Sequence, residues 1–375
     1  MKNTDVLIIG GGVAGLTAAV DLASKGIQVV VVEKKTYPRH KVCGEYVSNE
    51  VKPYLEQLGM DFTGLSLPEI TTLQLSTQRG KSISVKLPLG GFGVSRYTLD
   101  NQLYQLAMRN KVQFVFSTVT AVDFQGDDFE VSMASKSMIK AKVVLGAFGK
   151  RSNLDERFQL KGRHHKSPWL GVKCHYHYDG HPKNLVSLHN FQGGYAGLSQ
   201  VEEGVLNLCY LVRYDSFKRV GDIHEFNRQV LCRNPYLKQF LENARPIFDY
   251  PLSIAQISFG KKLAIADHML MCGDSAGMIH PLCGNGMAMA VHAAKMASEQ
   301  VVYFLKDQII DRKMMEDAYQ KQWDKHFKKR IWLGGQLQRI MLHTGWFNFG
   351  MQSIANSKPM LQTLIKRTHG NPILN

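Results

Sequence analysis

The chain opens on an unbroken apolar run, Val6-Leu7-Ile8-Ile9, with no polar residue to mark a solvent face. Such a run predicts a strand buried on both faces of a parallel sheet. A helix is expected from about Val13 to Lys25, with Gly26 at its C-terminal cap. Ile27 to Val32 repeats the apolar run and predicts a second parallel strand, with Glu33 at its end. Beyond it, Ser48 is expected to cap a helix that continues to about Leu58 and ends at Gly59. Thr71–Thr77 and Ser82–Leu87 alternate around Gln78-Arg79-Gly80-Lys81 and predict a hairpin of a second sheet.

Arg96 and Asp100 bracket the start of a helix from about Leu99 to Arg109, and Val112–Phe116 returns to the first sheet as its next parallel strand. Val119–Phe124 and Phe129–Ala134, around Gly126-Asp127-Asp128, are expected to form a meander with Lys142–Ala147. From Trp169 to about Phe259 short strands recur, among them Gly171–Tyr178, Leu185–Phe191 and Val205–Val212, interrupted by a helical stretch from Ile223 to Glu242. This region predicts an antiparallel sheet covering a cavity, where a substrate would be held. A strand then delivers Gly273-Asp274, and a loop with Pro281, Gly284 and Gly286 opens an Ala-rich helix from Met287 to about Leu305. The tail from Met314 to Lys366 is amphipathic and mostly helical, with Trp323, Phe327, Trp332, Trp346 and Phe349 among Lys325, Lys328, Lys329 and Arg330. Its aromatic side is expected to pack on the domain, although the pattern also suits peripheral contact with a membrane surface.

Gly10, Gly12 and Gly15 spell G-x-G-x-x-G between the first strand and its helix. The first glycine permits the tight turn, the second lets the backbone approach a pyrophosphate, and the third lets helix and strand pack closely. The helix N-terminus would face the diphosphate. Glu33, eighteen positions past Gly15, is placed to accept both ribose hydroxyls. The strand, turn, helix and acid-ended strand together read as a dinucleotide site. The N-terminus of the helix at Gly286-Met287 is a second place that favours an anion.

Composition narrows the class. The chain has 375 residues, 44% hydrophobic and 21% charged, which is ordinary for a globular protein of two domains or one elaborated one. Its 46 Lys and Arg against 31 Asp and Glu give a formal charge of +15. That field suits an anionic membrane surface or a phosphorylated cofactor or substrate. No nucleic-acid-binding signature accompanies it, so nucleic acid is not an expected partner. The six cysteines have no C-x-x-C spacing and read as reduced thiols. His164, His165, His175, His177, His181 and His189 cluster in sequence, and His175-x-His177 places two imidazoles on one face of a strand. No carboxylate or cysteine completes that pair with ligand spacing, so no metal is expected. The first strand begins without a signal segment and no uncharged run of about eighteen apolar residues appears, which predicts a cytoplasmic protein, with the tail as its one candidate for peripheral attachment.

With these stretches together the chain resembles the FAD-dependent oxidoreductases of the para-hydroxybenzoate hydroxylase fold, and within them the geranylgeranyl reductase branch. The resemblance runs from Asp5 to about Leu305. It implies an α/β fold: a discontinuous Rossmann-like FAD-binding domain of the GR2 type (1–70, 95–168 and 260–306), an inserted antiparallel β-sheet substrate domain (71–94 and 169–259), and a helical C-terminal region (307–375). Gly10, Gly12, Gly15 and Glu33 match the ADP-binding fingerprint, with Val13, Ala14, Lys34 and Val119 among the residues around the cofactor. Gly273, Asp274 and Pro281 match the second motif, whose aspartate holds the ribityl chain. Gly284, Asn285, Gly286 and Met287 match the loop bordering the pyrimidine end of the flavin. Arg39, Lys41, Cys43, Gly44 and Glu45 look like the R-x-K-x-C-G-x stretch of the reductase branch, which passes close to the isoalloxazine. Arg96 with Asp100 resembles that branch's helix start near the cofactor. The hydroxylases' Asp-Gly motif appears as Phe148-Gly149 with Arg151, and the halogenases' W-x-W-x-I-P signature has no counterpart.

The resemblance implies hydride transfer between flavin N5 and a double bond of a hydrophobic small molecule, with Cys43 as proton donor or pocket wall. The alternative it leaves open is a single-component monooxygenase that hydroxylates an aromatic ring through a C4a-hydroperoxyflavin. A third reading is a protein that binds FAD and a ligand without turnover. No second G-x-G-x-x-G is present, so NAD(P)H is expected to dock transiently or to be replaced by a protein electron donor.

Overall fold

The computed structural model describes residues 2–150, 154, 167–260, 262–307, 311–342 and 358–373. Arg151, His164, His165, Trp346 and Phe349 lie outside the described residues.

Two sheets divide the strands. The first contains β1 (Lys2–Ile9), β2 (Val29–Glu33), β6 (Gln113–Phe116), β7 (Val119–Gln125), β8 (Asp128–Met133), β9 (Met138–Gly146), β16 (Ile265–Ala266) and β17 (Met269–Met271). Its order is β16-β17-β9-β1-β2-β6, with β7 and β8 branching from β9. β1 is central and parallel to both β2 and β9, so Val6, Leu7 and Ile8 are fully buried, as their unbroken apolar run requires. The second sheet contains β3 (Tyr46–Ser48), β4 (Glu69–Ser76), β5 (Ser82–Gly93), β10 (Trp169–His177), β11 (Leu185–Phe191), β12 (Gly194–Gln200), β13 (Leu206–Arg213), β14 (Arg245–Pro246) and β15 (Leu252–Ala255). It is antiparallel except where β11 runs parallel to β4.

The helices are α1 (Val13–Ser24), α2 (Lys52–Gln57), α3 (Arg96–Arg109), α4 (Tyr214–Lys218), α5 (Ile223–Gln229), α6 (Pro235–Asn243), α7 (Gly286–Val302), α8 (Arg312–Trp323), α9 (Lys329–Leu342) and α10 (Lys358–Thr368). Among the described residues no helix is long and apolar enough to cross a membrane. In the tail, Trp323 and Phe327 are buried, while Trp332 is 66% exposed. Met341 of α9 and Leu361 and Ile365 of α10 pack on Tyr46, Tyr195 and Met278, so much of the tail's apolar face covers the second sheet.

Several expectations are corrected. Ser48 ends β3, and α2 begins only at Lys52 with Pro53 in its first turn. The capping pattern at Ser48 is overridden because Tyr46–Ser48 pairs with Gly91–Gly93, which also places this segment in the second sheet. The stretch Ile223–Glu242 is two helices, parted at Asn234, whose side chain caps α6. The Ala-rich helix ends at Val302 and continues as a π-helical turn, Tyr303–Asp307.

Two of the fingerprint glycines, Gly10 and Gly15, are sterically required. A Cβ on Gly15 would stand 2.0 Å from the carbonyl oxygen of Gly10, and one on Gly10 would stand 2.5 Å from that of Ala147. Gly15→Ala therefore forces backbone apart in the β1–α1 turn. We expect it to destabilise the protein by about 1–3 kcal/mol or more, read as a lowered urea midpoint; an unchanged midpoint would show that the turn relaxes freely.

Candidate functional site

Two helix N-termini converge between the sheets. Neither Gly12, at the head of α1, nor Asn285, at the head of α7, caps its helix with a side chain, and neither first turn contains an acidic residue. Helices of 12 and 17 residues thus present open N–H groups and the positive ends of their dipoles. Gly273 lies between them at φ 62°, where a Cβ would stand 3.1 Å from Ala14 Cβ and 3.4 Å from Ala290 Cβ. It places Asp274 beside the head of α7, in a small cavity shared with Gly277, Gly286, Met289 and Trp323. Pro281 opens the short helical turn that leads to Gly284.

Basic side chains complete the anion-binding character at α1. The Asp100 carboxylate, fully buried on α3, accepts two hydrogen bonds from Arg96, both 2.7 Å, and pairs with Lys41 Nζ at 2.8 Å. Burial alone would raise the Asp100 carboxyl, yet Arg96 and Lys41 hold it below the usual carboxylate range. A Cβ on Gly12 would meet Arg96 Nη2 at 3.8 Å and Lys41 Nζ at 3.9 Å, so both cations stand over the open helix end. Burial lowers the Lys41 ammonium to about 8, against the pull of Asp100.

Glu33, expected at the ribose, is buried at the end of β2. It accepts from Gly11 N at 2.9 Å and Lys35 N at 3.1 Å, and pairs with Arg39 at 3.0 Å. Tyr37 donates to Gly11 O at 2.6 Å and stacks on Tyr104, walling this end. Lys34 is exposed beside it, and Val119 sits buried in β7. The basic segment 39–45 therefore runs the length of the site. Arg39 serves Glu33 rather than the far end, Lys41 stands over α1, and Cys43-Gly44-Glu45 reaches the seam between the sheets.

At the seam, Gly44 O accepts from Ser199 Oγ at 2.7 Å and Asn207 Nδ2 at 3.0 Å, and Cys43 O accepts from Asn207 at 3.2 Å. A Cβ on Gly284 would stand 3.0 Å from the Tyr46 ring, so this loop also abuts the head of α7. Gly149 N donates to Ser275 Oγ at 2.7 Å, joining the turn after β9 to the Gly273 turn. Asn285 is anchored on one side only: its Nδ2 bonds Thr368 O at 3.1 Å, and its buried Oδ1 has no partner among the described residues.

Sequence reasoning missed the partners of Glu45. This carboxylate is fully buried and accepts from Arg96 N at 2.6 Å, Lys173 Nζ at 2.5 Å and His175 Nε2 at 2.6 Å. Burial opposes its charge, but Lys173 and then His175 keep it below the normal carboxylate range. One ring nitrogen of His40, one of His175 and a Glu45 oxygen lie within 4.8 Å of one another. His177, the expected partner of His175, is exposed instead. Because Lys173 already neutralises Glu45, the trio forms a charge-compensated cluster rather than a ready cation site. One signal was available: a lysine and a histidine interrupt the apolar strand Leu170-Gly171-Val172-Lys173-Cys174-His175-Tyr176.

Residues 5–42 match the model of an FAD binding domain. The chain is 25% identical over 346 residues to the digeranylgeranylglycerophospholipid reductase of Methanocaldococcus jannaschii, covering 86% of this chain and 83% of that one. It is an FAD-dependent oxidoreductase of the para-hydroxybenzoate hydroxylase-like fold. The flavoprotein is also 22% identical over 347 residues to the tryptophan 2-halogenase of Chondromyces crocatus, spanning 87% of this chain and 66% of that one. The structure of the flavin-dependent brominase Bmp2 superposes with a TM-score of 0.79 at 19% identity, over 97% of this chain and 93% of that one.

FAD fits the cradle described above. Two uncapped helix N-termini, the Lys41–Arg96 pair over Gly12 and the partnerless Asn285 Oδ1 are polar groups that a diphosphate and a flavin ring would satisfy. The cations give a pH dependence with a fixed sign. Lys41 is charged below about pH 8 and loses its charge above it, so affinity of the apoprotein for FAD should fall as pH rises through 8. Loss of one charge-assisted contact corresponds to about 10–150-fold. Lys41→Met should bind weakly at all pH values, with a flatter profile by fluorescence titration; a variant that keeps the wild-type profile would remove Lys41 from the site.

Proposed function

We propose that the flavoprotein reduces or dehydrogenates a carbon–carbon double bond of a hydrophobic small molecule, and that NAD(P)H or a protein electron donor recharges it. Bound FAD supplies the hydride chemistry; the chain supplies position, charge and exclusion of water. The observation that carries this reading is the placement of Cys43-Gly44-Glu45. That loop is held edgewise between the two helix N-termini and the second sheet by Ser199, Asn207 and Lys173. Similarity to the archaeal reductase covers 86% of this chain. An apolar substrate is in keeping with the apolar cluster of Tyr46, Tyr195, Ile257 and Met278, which begins at the residue after Glu45 and which Met341, Leu361 and Ile365 of the tail cover. The positive end of α7 would favour the anionic, reduced state of the ring.

The test is anaerobic reduction by NADPH followed by rapid mixing with oxygenated buffer while the visible spectrum is recorded. The reductase reading expects direct return from the reduced to the oxidised spectrum and single-turnover reoxidation by a polyprenyl alkene. A long-lived species between the two spectra would favour oxygen insertion into an aromatic substrate instead.

A further inference from the structure

The second sheet has one face that does not follow its surroundings. Successive residues of a strand point to opposite faces, and on β10 and β13 one set, Val172, Cys174, Tyr176, Leu208 and Tyr210, forms an apolar core. The other set, turned to the Cys43–Glu45 loop, is Lys173 and His175 on β10 with Asn207 and Cys209 on β13, paired Lys173 to Cys209 and His175 to Asn207. Ser199 continues this set on β12. Packing alone would fill such a buried face with apolar residues, since each buried charge costs several kcal/mol before pairing. Glu45 meets it at φ 59°, a left-handed conformation that is unfavourable for a side-chain-bearing residue and is held here by three hydrogen bonds.

The buried groups form a line. At its inner end, the Lys173 ammonium is fully buried and bonds Glu45 alone among the described residues, leaving two donors toward Cys209 and the seam. In the middle, Glu45 fixes His175 with its Nε2–H toward the carboxylate. At the outer end stands His40, partly exposed between Tyr97 and Phe248, with ring centroids 4.8 and 4.6 Å away and His175 edge-on at 5.0 Å. Among the described residues His40 Nδ1 is buried without a partner, and the spacing of up to 4.8 Å between the His40, His175 and Glu45 atoms matches one bridging water.

We propose that His40, His175, Glu45 and Lys173 form an internal proton relay that carries a proton from solvent to the seam between the sheets. It rests on the reading that FAD lies at that seam. A neutral His40 takes a proton on one nitrogen and releases one from the other through the bridging water; His175 and Glu45 pass it on, and Lys173 holds it as its third N–H. Two-electron reduction of FAD to its anion forms one N–H bond with a proton that Lys173 gives and the line replaces. When an alkene is then reduced, its π bond breaks, hydride from reduced FAD forms one C–H bond, and a second Lys173 proton forms the other. Lys173 is left as a neutral amine and is reprotonated along the same line. The charged or titratable groups facing the line are Glu202 and Lys173 toward His40, Lys173 and Arg96 toward Glu45, and Cys209 toward Lys173, with Cys43 and Lys150 beside Cys209. Burial, and after it Lys173, hold His40 down to about 4, so it conducts as a neutral ring.

The experiment is stopped-flow proton uptake on anaerobic photoreduction of the FAD-loaded protein, followed with a pH indicator in weakly buffered solution and without any alkene. His40→Asn should slow uptake about tenfold or more while leaving FAD content unchanged, and added imidazole should restore the rate. Lys173→Met strands a buried carboxylate and risks misfolding, so Lys173→Met with Glu45→Gln is the second variant, expected to be slow and insensitive to imidazole. Wild-type uptake in His40→Asn, or slow uptake that imidazole does not rescue, overturns the relay. Rescue in a protein that reduces no alkene keeps the relay and removes the reductase reading; alkene turnover with an unaltered pH profile in His40→Asn does the reverse.

Discussion

The structure depends on bringing two helix N-termini together across a single glycine. The first turns of α1 and α7 are both uncapped, and Gly273 packs between Ala14 and Ala290 at a positive φ that disfavours a side chain. Like partial charges at close quarters repel, so this arrangement needs an anion or compensating dipoles to be favourable. The chain adds more positive charge at the same place, Lys41 and Arg96, with Asp100 as their shared buried counter-charge. Such a concentration of donors is unfavourable for an empty protein and favourable for one that holds a diphosphate.

A second constraint follows at the other end of the site. The Cys43–Glu45 loop must cross from the nucleotide sheet to the second sheet, and it does so as a polar strut. Its carbonyls are taken by Ser199 and Asn207, and its carboxylate by Lys173, His175 and the Arg96 backbone. Arg96 thus belongs to both ends: its guanidinium faces α1 through Asp100 and its backbone N–H holds Glu45. Movement of α3 would disturb cofactor and seam together. The tail closes the third side, where Arg330, Gly370 and Asn285 all converge on the buried Glu50.

What the sequence made legible was local. The β1–α1–β2 unit is written in contiguous runs and in glycines whose spacing has a steric reason, and Gly273-Asp274 follows a short apolar strand in the same way. β12 was less visible because Gly194 and Gly197 break its alternation, and Ser48 misled because a capping residue and a strand end share the same preferences. The Glu45 cluster was out of reach for a different cause. Its members are 128 and 130 residues apart, and only the folding of β10 against the loop brings them together. Pairing Glu45 with Lys173 needs a register that no local pattern encodes. The pairing of Arg39 with Glu33 was hidden for the same reason, since its position along the site depends on where the loop turns.

The measurement that tests the central claim most directly is titration of apoprotein with FAD, in parallel for wild type and Glu33→Ala, with bound flavin counted by its absorbance. The account predicts one FAD per wild-type chain and an affinity lower by about 10–150-fold in Glu33→Ala, because that carboxylate orients the adenosine end through Gly11 and Arg39. A wild-type protein that retains no flavin, or a Glu33→Ala variant that binds it as tightly, would contradict the placement of the cofactor along the line from Glu33 to the seam.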